Sequence, residues 1–518
     1  MVRLLRTALV AVLVACVTPV AAAPAAAALP TTGPRFVDIA GSGVTLKANV
    51  VAPSAAGRYP AIVFPSSWGL NDLEYLAQAR VLAGRGYVVV SYTPRGWWFS
   101  GGEIDTAGPK DMADLSKVLD WTIANTATDP ARIGAAGISY GAGLSLLGAA
   151  HDPRIRAVTM MSGWTDLVYS LFGDNTRHGQ SAGLLSLAAQ LLGNPGPDLN
   201  GRLADFNAGT NIEEVKAWAR VRSAASYVDA LNANRPAVLV ANAWGDSFFP
   251  PNQLADLYNR LTVPKRLELR PGDHAIAEFT GILGLPNDAW TSLYRWFDQY
   301  LAGVDTGIAG EPPVVAVPHN AAAESYASWN AFGGTPRRLG LGAIRALDGT
   351  GPLGGSPTNG WSKALPTDLD TTANGGVVLL TNGVAAFTGE RPKIWLPTVD
   401  RWRAGVWAGE RPLSVRRIRG VPRVHLELRD AAARGTAVVY LYDLDLFGTA
   451  RLVTHAPVTW LGTTASVDVA LSATAYDVPA GHALTLVVDT VDPLYYDENA
   501  PGGSVTVAGG SYVDVPLK

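Results

Sequence analysis

Arg132-Ile-Gly-Ala-Ala-Gly-Ile-Ser-Tyr-Gly-Ala-Gly-Leu144 is the stretch on which the reading of this chain turns. Its opening reads as a short buried strand, its middle as a sharp turn carrying Ser139, and its end as the start of a helix. Gly137 and Gly141 stand two residues before and two after the serine, the G-x-S-x-G spacing of a nucleophile elbow. A serine hydroxyl is a poor nucleophile unless it is held in the open beside a base. A strained strand-to-helix turn holds it so. That turn also brings strand and helix close together, so both flanking positions must lack bulk. Ala142 and Gly143 extend the run of small residues, and the helix is expected to lie tightly on its sheet.

Outward from the elbow, short apolar runs alternate with amphipathic segments. Residues 36–39 and 45–51, separated by Gly41-Ser-Gly43, read as an opening hairpin. Residues 61–64 and 87–92 read as strands covered on both faces. Residues 73–85 and 110–125 read as helices, the second with Met112, Leu115, Val118, Leu119 and Ile123 at helical spacing. Residues 157–162 form the next strand. This alternation predicts the α/β class: a doubly wound, mostly parallel sheet with helices on both faces. Helical and loop-like sequence interrupts it at about 164–235, as a cap over the sheet's carboxyl edge would. The pattern resumes with strands at 237–241 and 265–269 and a closing helix at 288–301.

After residue 303 the texture changes. Residues 307–318 read as a linker, and the sequence to 392 is rich in Gly, Pro and Thr and poor in helical periodicity. From 424 on, short alternating strands recur at 424–428, 437–442, 450–453, 466–471, 483–488 and 503–507. They predict a β-sandwich of jelly-roll type. The expected organisation is a signal peptide at 1–28, a catalytic α/β domain at 29–310, and a linker with a C-terminal β-sandwich at 311–518.

Composition narrows the function. At 48% hydrophobic and 16% charged residues the chain can bury large cores, and a net charge of -3 without runs of like charge argues against a nucleic-acid partner. Met1-Val-Arg-Leu-Leu-Arg, the apolar residues 7–17 and an alanine-rich stretch ending near Ala28 have the form of a secretory signal. Leu13-Val-Ala-Cys16 also matches a lipobox, so a lipid anchor through Cys16 is the alternative to a released protein. Cys16 is the only cysteine, which excludes intrachain disulfides and thiolate metal sites. No later segment has the form of a membrane span. The sequence does not specify an oligomeric state.

On such a sheet a catalytic triad arrives in the order serine, acid, histidine. After the strand at 237–241 comes Asn242-Ala-Trp-Gly-Asp246, and after the strand ending at 269 comes Arg270-Pro-Gly-Asp-His274. Ser139 is therefore the candidate nucleophile, His274 the general base and then acid, and Asp246 the group that orients the imidazole. Asp273 is the rival acid, but a turn or supporting role suits a residue adjacent to the histidine. His151 and His178 precede the acid, and the remaining histidines fall in the second domain. The oxyanion needs two donors: the Tyr140 N–H, and one from the loop after Phe64, with Ser67 and Trp68 as candidates. No histidine pair or carboxylate cluster has metal-ligand spacing, and no cofactor motif is present.

These residues resemble the Xaa-Pro dipeptidyl-peptidase and bacterial cocaine esterase family of serine α/β-hydrolases. The resemblance rests on Gly137-Ile-Ser-Tyr-Gly141, Arg95-Gly96 with Ser100-Gly101, Trp244-Gly-Asp246 and Gly272-Asp-His274. In the second half it rests on Arg411-Pro-Leu413, Gly420-Val-Pro422 and Val478-Pro-Ala-Gly-His482. It implies a catalytic domain, a helical cap, a jelly roll that helps wall the site, and cofactor-free acyl transfer. Two positions depart from the family pattern. Thr93 stands where an Asp is usual, and residues 65–69 lack the tyrosine whose hydroxyl often serves the oxyanion, so a backbone donor is expected. The expected substrate is a small ester or a short peptide. An esterase is favoured over an Xaa-Pro peptidase, which needs a carboxylate for the substrate ammonium; Glu213 and Glu214 are the available ones. A carbohydrate-binding sandwich with a vestigial hydrolase half, using tryptophans such as Trp329, Trp361, Trp395, Trp402, Trp407 and Trp460, is the reading from another class, although such residues more often pack a core.

Overall fold

The computed structural model describes residues 28–518; residues 1–27, which carry nearly all of the expected signal peptide and Cys16, lie outside the described residues. The first half is one ten-stranded sheet. Its strands are β1 (Arg35–Ala40), β2 (Thr45–Val51), β3 (Tyr59–Pro65), β4 (Val88–Tyr92), β5 (Thr128–Ile138), β6 (Ile155–Met161), β7 (Ala237–Ala243), β8 (Lys265–Arg270), β9 (Val314–Ala316) and β10 (Glu324–Tyr326). Their spatial order is β1-β2-β4-β3-β5-β6-β7-β8-β9-β10. The strands from β4 through β9 pair in parallel, while β1, β2 and β10 pair antiparallel at the edges.

Side-chain alternation explains the two covered faces. Val63, Val88 and Val90 pack with Leu115, Val118 and Leu146, while Ile62, Phe64 and Val89 pack on the opposite side with Leu82, Trp290 and Trp296. Each fully buried aliphatic side chain contributes roughly 1.5–3 kcal/mol relative to exposure, so both faces commit the strands to the interior. Helix Tyr140–His151 is buried on all sides except at its last residue, as a run of Gly, Ala, Leu and Ser permits. Between β6 and β7 lies the cap. Its helices are Leu167–Phe172, Gly179–Leu192, Gly196–Ala208, Ile212–Val221 and Val228–Asn234.

The second half is two packed sheets. Strand Ser504–Leu517 is the spine of one, pairing with Thr335–Gly340, Ser362–Pro366, Arg416–Gly420 and Arg423–Leu428. The other is centred on Ala483–Asp489, Arg434–Leu444 and Thr449–Leu461. Apart from the short parallel edge pair Gly351–Leu353 and Gly405–Gly409, pairing in both is antiparallel. The quoted motif residues brace this unit. Arg411 donates to the carbonyls of Leu444, Asp445 and Gly481, and Asp443 bridges His482 and Tyr476.

Two segments differ from the sequence reading. The stretch read as linker supplies β9, which extends the catalytic sheet beside β8. The Gly- and Thr-rich stretch contains helix Leu380–Thr388, which rests on the loops after β7 and β8. Asn382 donates to the Gly245 carbonyl at 3.1 Å, and Ser247 Oγ accepts from the Leu379 N–H at 3.1 Å. No helix among the described residues is long and apolar enough to cross a membrane.

Candidate active site

The elbow geometry follows from its glycines. Ser139 has φ 56° and ψ -119°, a left-side conformation that L side chains adopt only when the surroundings impose it. A Cβ on Gly137 would come 2.5 Å from the Gly141 carbonyl carbon, and one on Gly141 would come 2.1 Å from the Pro65 oxygen. One on Gly143 would enter the Trp164 ring at 2.6 Å. Strand, turn and helix thus fit only with these side chains missing, and Ser139 is lifted to the carboxyl edge of β5.

The loops after β7 and β8 reach the same edge. His274 Nε2 lies 2.8 Å from Ser139 Oγ, and Nδ1 lies 3.0 Å from Asp246 Oδ2. A carboxylate only accepts, so Nδ1 carries the ring proton and Nε2 is left to accept from the serine hydroxyl. The other Asp246 oxygen accepts from the N–H groups of Phe248 and Phe249 at 2.9 and 2.8 Å. All three side chains are more than nine-tenths buried. The Phe248 and Phe249 rings stand 4.8 and 5.1 Å from the imidazole and keep water from it. Burial of His274 opposes its charged form. The Asp246 charge and hydrogen bond outweigh that and raise its pKa above the usual 6.5.

The rival acid is turned elsewhere. Asp273 Oδ1 accepts from the His274 N–H at 2.7 Å and from the Ser247 N–H and hydroxyl at 2.9 and 2.7 Å, so it ties the histidine loop to the acid loop. Burial raises its pKa to about 6.

The oxyanion loop narrows one expectation. Ser67 does not offer its backbone donor: its N–H is taken by Glu74 Oε2 at 2.6 Å, and its hydroxyl lies 2.6 Å from Oε1. Ser67 is therefore removed as oxyanion donor, because a buried carboxylate already holds that N–H. Trp68 is left as the backbone candidate beside Tyr140. The Trp68 ring is fixed by its Nε1 donating to the Leu185 carbonyl at 2.9 Å. Tyr140 begins its helix, so its N–H has no acceptor within the helix. Its hydroxyl donates to Asp111 at 2.6 Å and accepts from the Ala107 N–H at 3.1 Å.

Sequence reasoning missed the buried acids around the site. Burial raises Glu74, Asp111 and Glu278 each to about 7. Glu278 accepts from Ser162, the residue after β6, at 3.0 Å. The Arg95-Gly96 motif has a scaffolding geometry. Arg95 pairs bidentately with buried Asp114 at 2.8 and 2.9 Å, and Gly96, at φ 74°, leaves no room for a Cβ against the Ile104 N–H. Thr93, at the position where the family pattern has an acid, hydrogen-bonds to Asp72.

Ser139 opens into a pocket with almost wholly apolar walls, among them Trp68, Leu171, Leu185, Leu203, Phe206 and Phe249. Arg202 is the one charged side chain among its lining residues, and no carboxylate lines it. Glu213 lies outside this pocket, exposed and paired with Lys216 at 3.0 Å; Glu214 does not line it either. Among the described residues no three His, Cys, Asp or Glu side chains are placed to hold a metal ion.

Comparison with known proteins agrees with this architecture. The family described as X-Pro dipeptidyl-peptidase (S15 family) matches residues 42–276, and the X-Pro dipeptidyl-peptidase C-terminal non-catalytic domain matches residues 415–513. A CocE/NonD family hydrolase from Staphylococcus aureus has the same fold, with a TM-score of 0.70 at 13% identity over 94% of each chain. An α-amino acid ester hydrolase has a TM-score of 0.67 at 18% identity, covering 97% of this chain and 98% of that one. Among curated relatives, the acyltransferase drtE of Aspergillus calidoustus is 29% identical over 127 residues, which are 24% of this chain and 40% of that protein. The match thus spans well under half of that relative's length. With both family models matched in order along the chain, it belongs to the X-Pro dipeptidyl-peptidase (S15) family of serine hydrolases.

Proposed function

We propose that this serine hydrolase is an esterase acting on small esters with an apolar acyl group, through Ser139, His274 and Asp246. The observation that carries the reading is the chain of contacts from Asp246 through His274 to Ser139, opening into an apolar pocket. His274 Nε2 takes the Ser139 proton as Oγ bonds to the ester carbonyl carbon. The carbonyl oxygen becomes the oxyanion and receives the N–H groups of Tyr140 and Trp68; one such donor is worth about 2.7–4 kcal/mol. The tetrahedral species collapses, the C–O bond to the alcohol breaks, and His274 returns the proton to the departing oxygen. A water deprotonated by His274 then attacks the acyl-enzyme, His274 returns that proton to the departing Ser139 oxygen, and the product leaves as the carboxylic acid, which ionises in solution. Asp246 keeps the imidazole in the reactive tautomer and balances its cation.

Pocket chemistry favours the ester over the Xaa-Pro peptide. A dipeptidyl substrate presents an ammonium group, and no lining residue offers it a carboxylate. A buried methylene contributes about 0.8 kcal/mol, so an acyl chain gains several-fold in transition-state binding per carbon while the pocket lasts. The test is a series of p-nitrophenyl esters from acetate to octanoate beside Xaa-Pro anilides. Rising kcat/KM along the series, with anilides inert, is the expected result. Anilide cleavage without ester cleavage overturns the esterase reading and leaves the peptidase. The basic, then apolar start of the chain supports export, with Cys16 as an alternative lipid attachment. Sequencing the N-terminus of the released protein, or labelling it with a radioactive fatty acid, distinguishes the two.

A further inference from the structure

A second cavity lies where the acid loop, the cap and the β-sandwich meet. Its wall includes residues 244–247, so it sits behind the turn that carries Asp246. It holds one guanidinium, Arg391, and three imidazoles, His178, His319 and His455. Asp246 is the only carboxylate among the lining residues, and its oxygens face His274 and two backbone N–H groups.

Arg391 has no carboxylate partner among the described residues. It donates to the carbonyls of Leu452, at 2.9 and 2.7 Å, and Val453, at 3.2 Å, while Nη1 lies 3.3 Å from His319 Nδ1. A guanidinium only donates, so Nδ1 of His319 accepts and its proton resides on Nε2. Two more atoms of the wall are buried with no partner: Nε2 of His178 and Oγ1 of Thr474, in residues only 6% and 1% exposed. Native interiors rarely leave such atoms unpaired. Burial lowers Arg391 to about 10 and His178 to about 4, and holds His319 well below the usual imidazole range. At neutral pH the wall therefore presents one charged donor and neutral rings. Water would satisfy the unpaired atoms but not the charge, and a cation would be repelled by Arg391.

We propose that this interdomain cavity binds a small oxyanion (a carboxylate, phosphate or sulfate), with Arg391 and His319 as its principal donors. The wall is drawn from the cap, the acid loop and the sandwich, so the ligand ties the three together. Such an anion has two sources: the carboxylate released by ester cleavage, or inorganic anions in the surroundings.

The test is isothermal titration and thermal unfolding of the full mature chain with acetate, phosphate and sulfate, against sodium chloride at matched ionic strength. Saturable heats are expected in the titration, with Tm raised by roughly 1–3 °C at about ten to a hundred times the dissociation constant, since a ligand held only by the folded state stabilises it. Arg391→Gln should abolish the shift, and Thr474→Val should weaken binding by about two- to fivefold. If Arg391→Gln does not fold, His319→Gln decides, with an expected loss of fivefold or more. Response to acetate alone assigns the site to the product; response to phosphate or sulfate assigns it to inorganic anions. Heats that are absent or never saturate, or binding that persists undiminished in a folded Arg391→Gln or His319→Gln protein, overturn the proposal.

Discussion

Two cavities flank the loop that carries Asp246, and they are built on opposite principles. On the Ser139 side the walls are apolar, and Ser139, His274 and Asp246 already have one another as partners. On the sandwich side polar and apolar residues share the walls, which hold two unpaired buried atoms and a cation without a carboxylate partner. The first arrangement strengthens the Asp246–His274–Ser139 contacts by excluding water and leaves room for an uncharged group. The second is incomplete without a further polar species. One loop is thus held between a dry apolar site and a mixed one that carries a charge without a counter-ion.

The contrast breaks most sharply at the serine. Ser139→Ala should lower kcat by about a thousandfold or more in an ester assay and abolish fluorophosphonate labelling, with unchanged Tm. Asp246→Asn should follow at about a thousand- to ten-thousandfold, because the wrong tautomer of His274 is then held. Glu74→Gln touches no substrate, but it loosens the loop that carries Trp68. It should lower kcat by roughly 10- to 100-fold with little change in KM, since a misplaced oxyanion donor weakens only the transition state. Leu203→Trp should fill the dry pocket and cut kcat/KM about tenfold for octanoyl esters while sparing acetyl esters. If acetyl and octanoyl esters suffer alike, that pocket does not hold the acyl chain.

Smaller effects come from protons. The reactive imidazole must be neutral and its pKa is raised, so kcat/KM should climb with pH through a midpoint above 6.5. Glu278, raised by burial to about 7, binds its proton more tightly when folded than the usual carboxylate value of 4.5. Its contribution is therefore favourable at low pH and is lost as pH rises from about 4.5 through 7. Glu278→Gln should match wild type near pH 5 and unfold a few degrees higher at pH 8.

The elbow, the alternation of strands and helices, and the order serine–acid–histidine were legible because each is written in local sequence. Gly137 and Gly141 are required by close approach, and the apolar runs by burial on two faces. The buried acids were not legible. Nothing near Glu74 distinguishes it from a surface glutamate; only the fold brings Ser67 back onto it. Strand β9 has three residues and exists because β8 offers it an edge. Helix Leu380–Thr388 sits among glycines and threonines, and its position depends on the distant loops it rests on. Arg391, His178 and Thr474 meet only when two domains close on each other, so no spacing in the chain announces their cavity.

Helix Leu380–Thr388 has a consequence for anyone wishing to shorten the protein. It belongs by chain position to the β-rich half, yet it grips the turns on which the acid and the histidine are mounted. A fragment ended near residue 310 would keep the nucleophile and its neighbours but lose both β9 and this buttress. Such a minimal version should be a poor catalyst even where it stays dissolved, and swapping the C-terminal half for a relative's would retune turnover as well as durability.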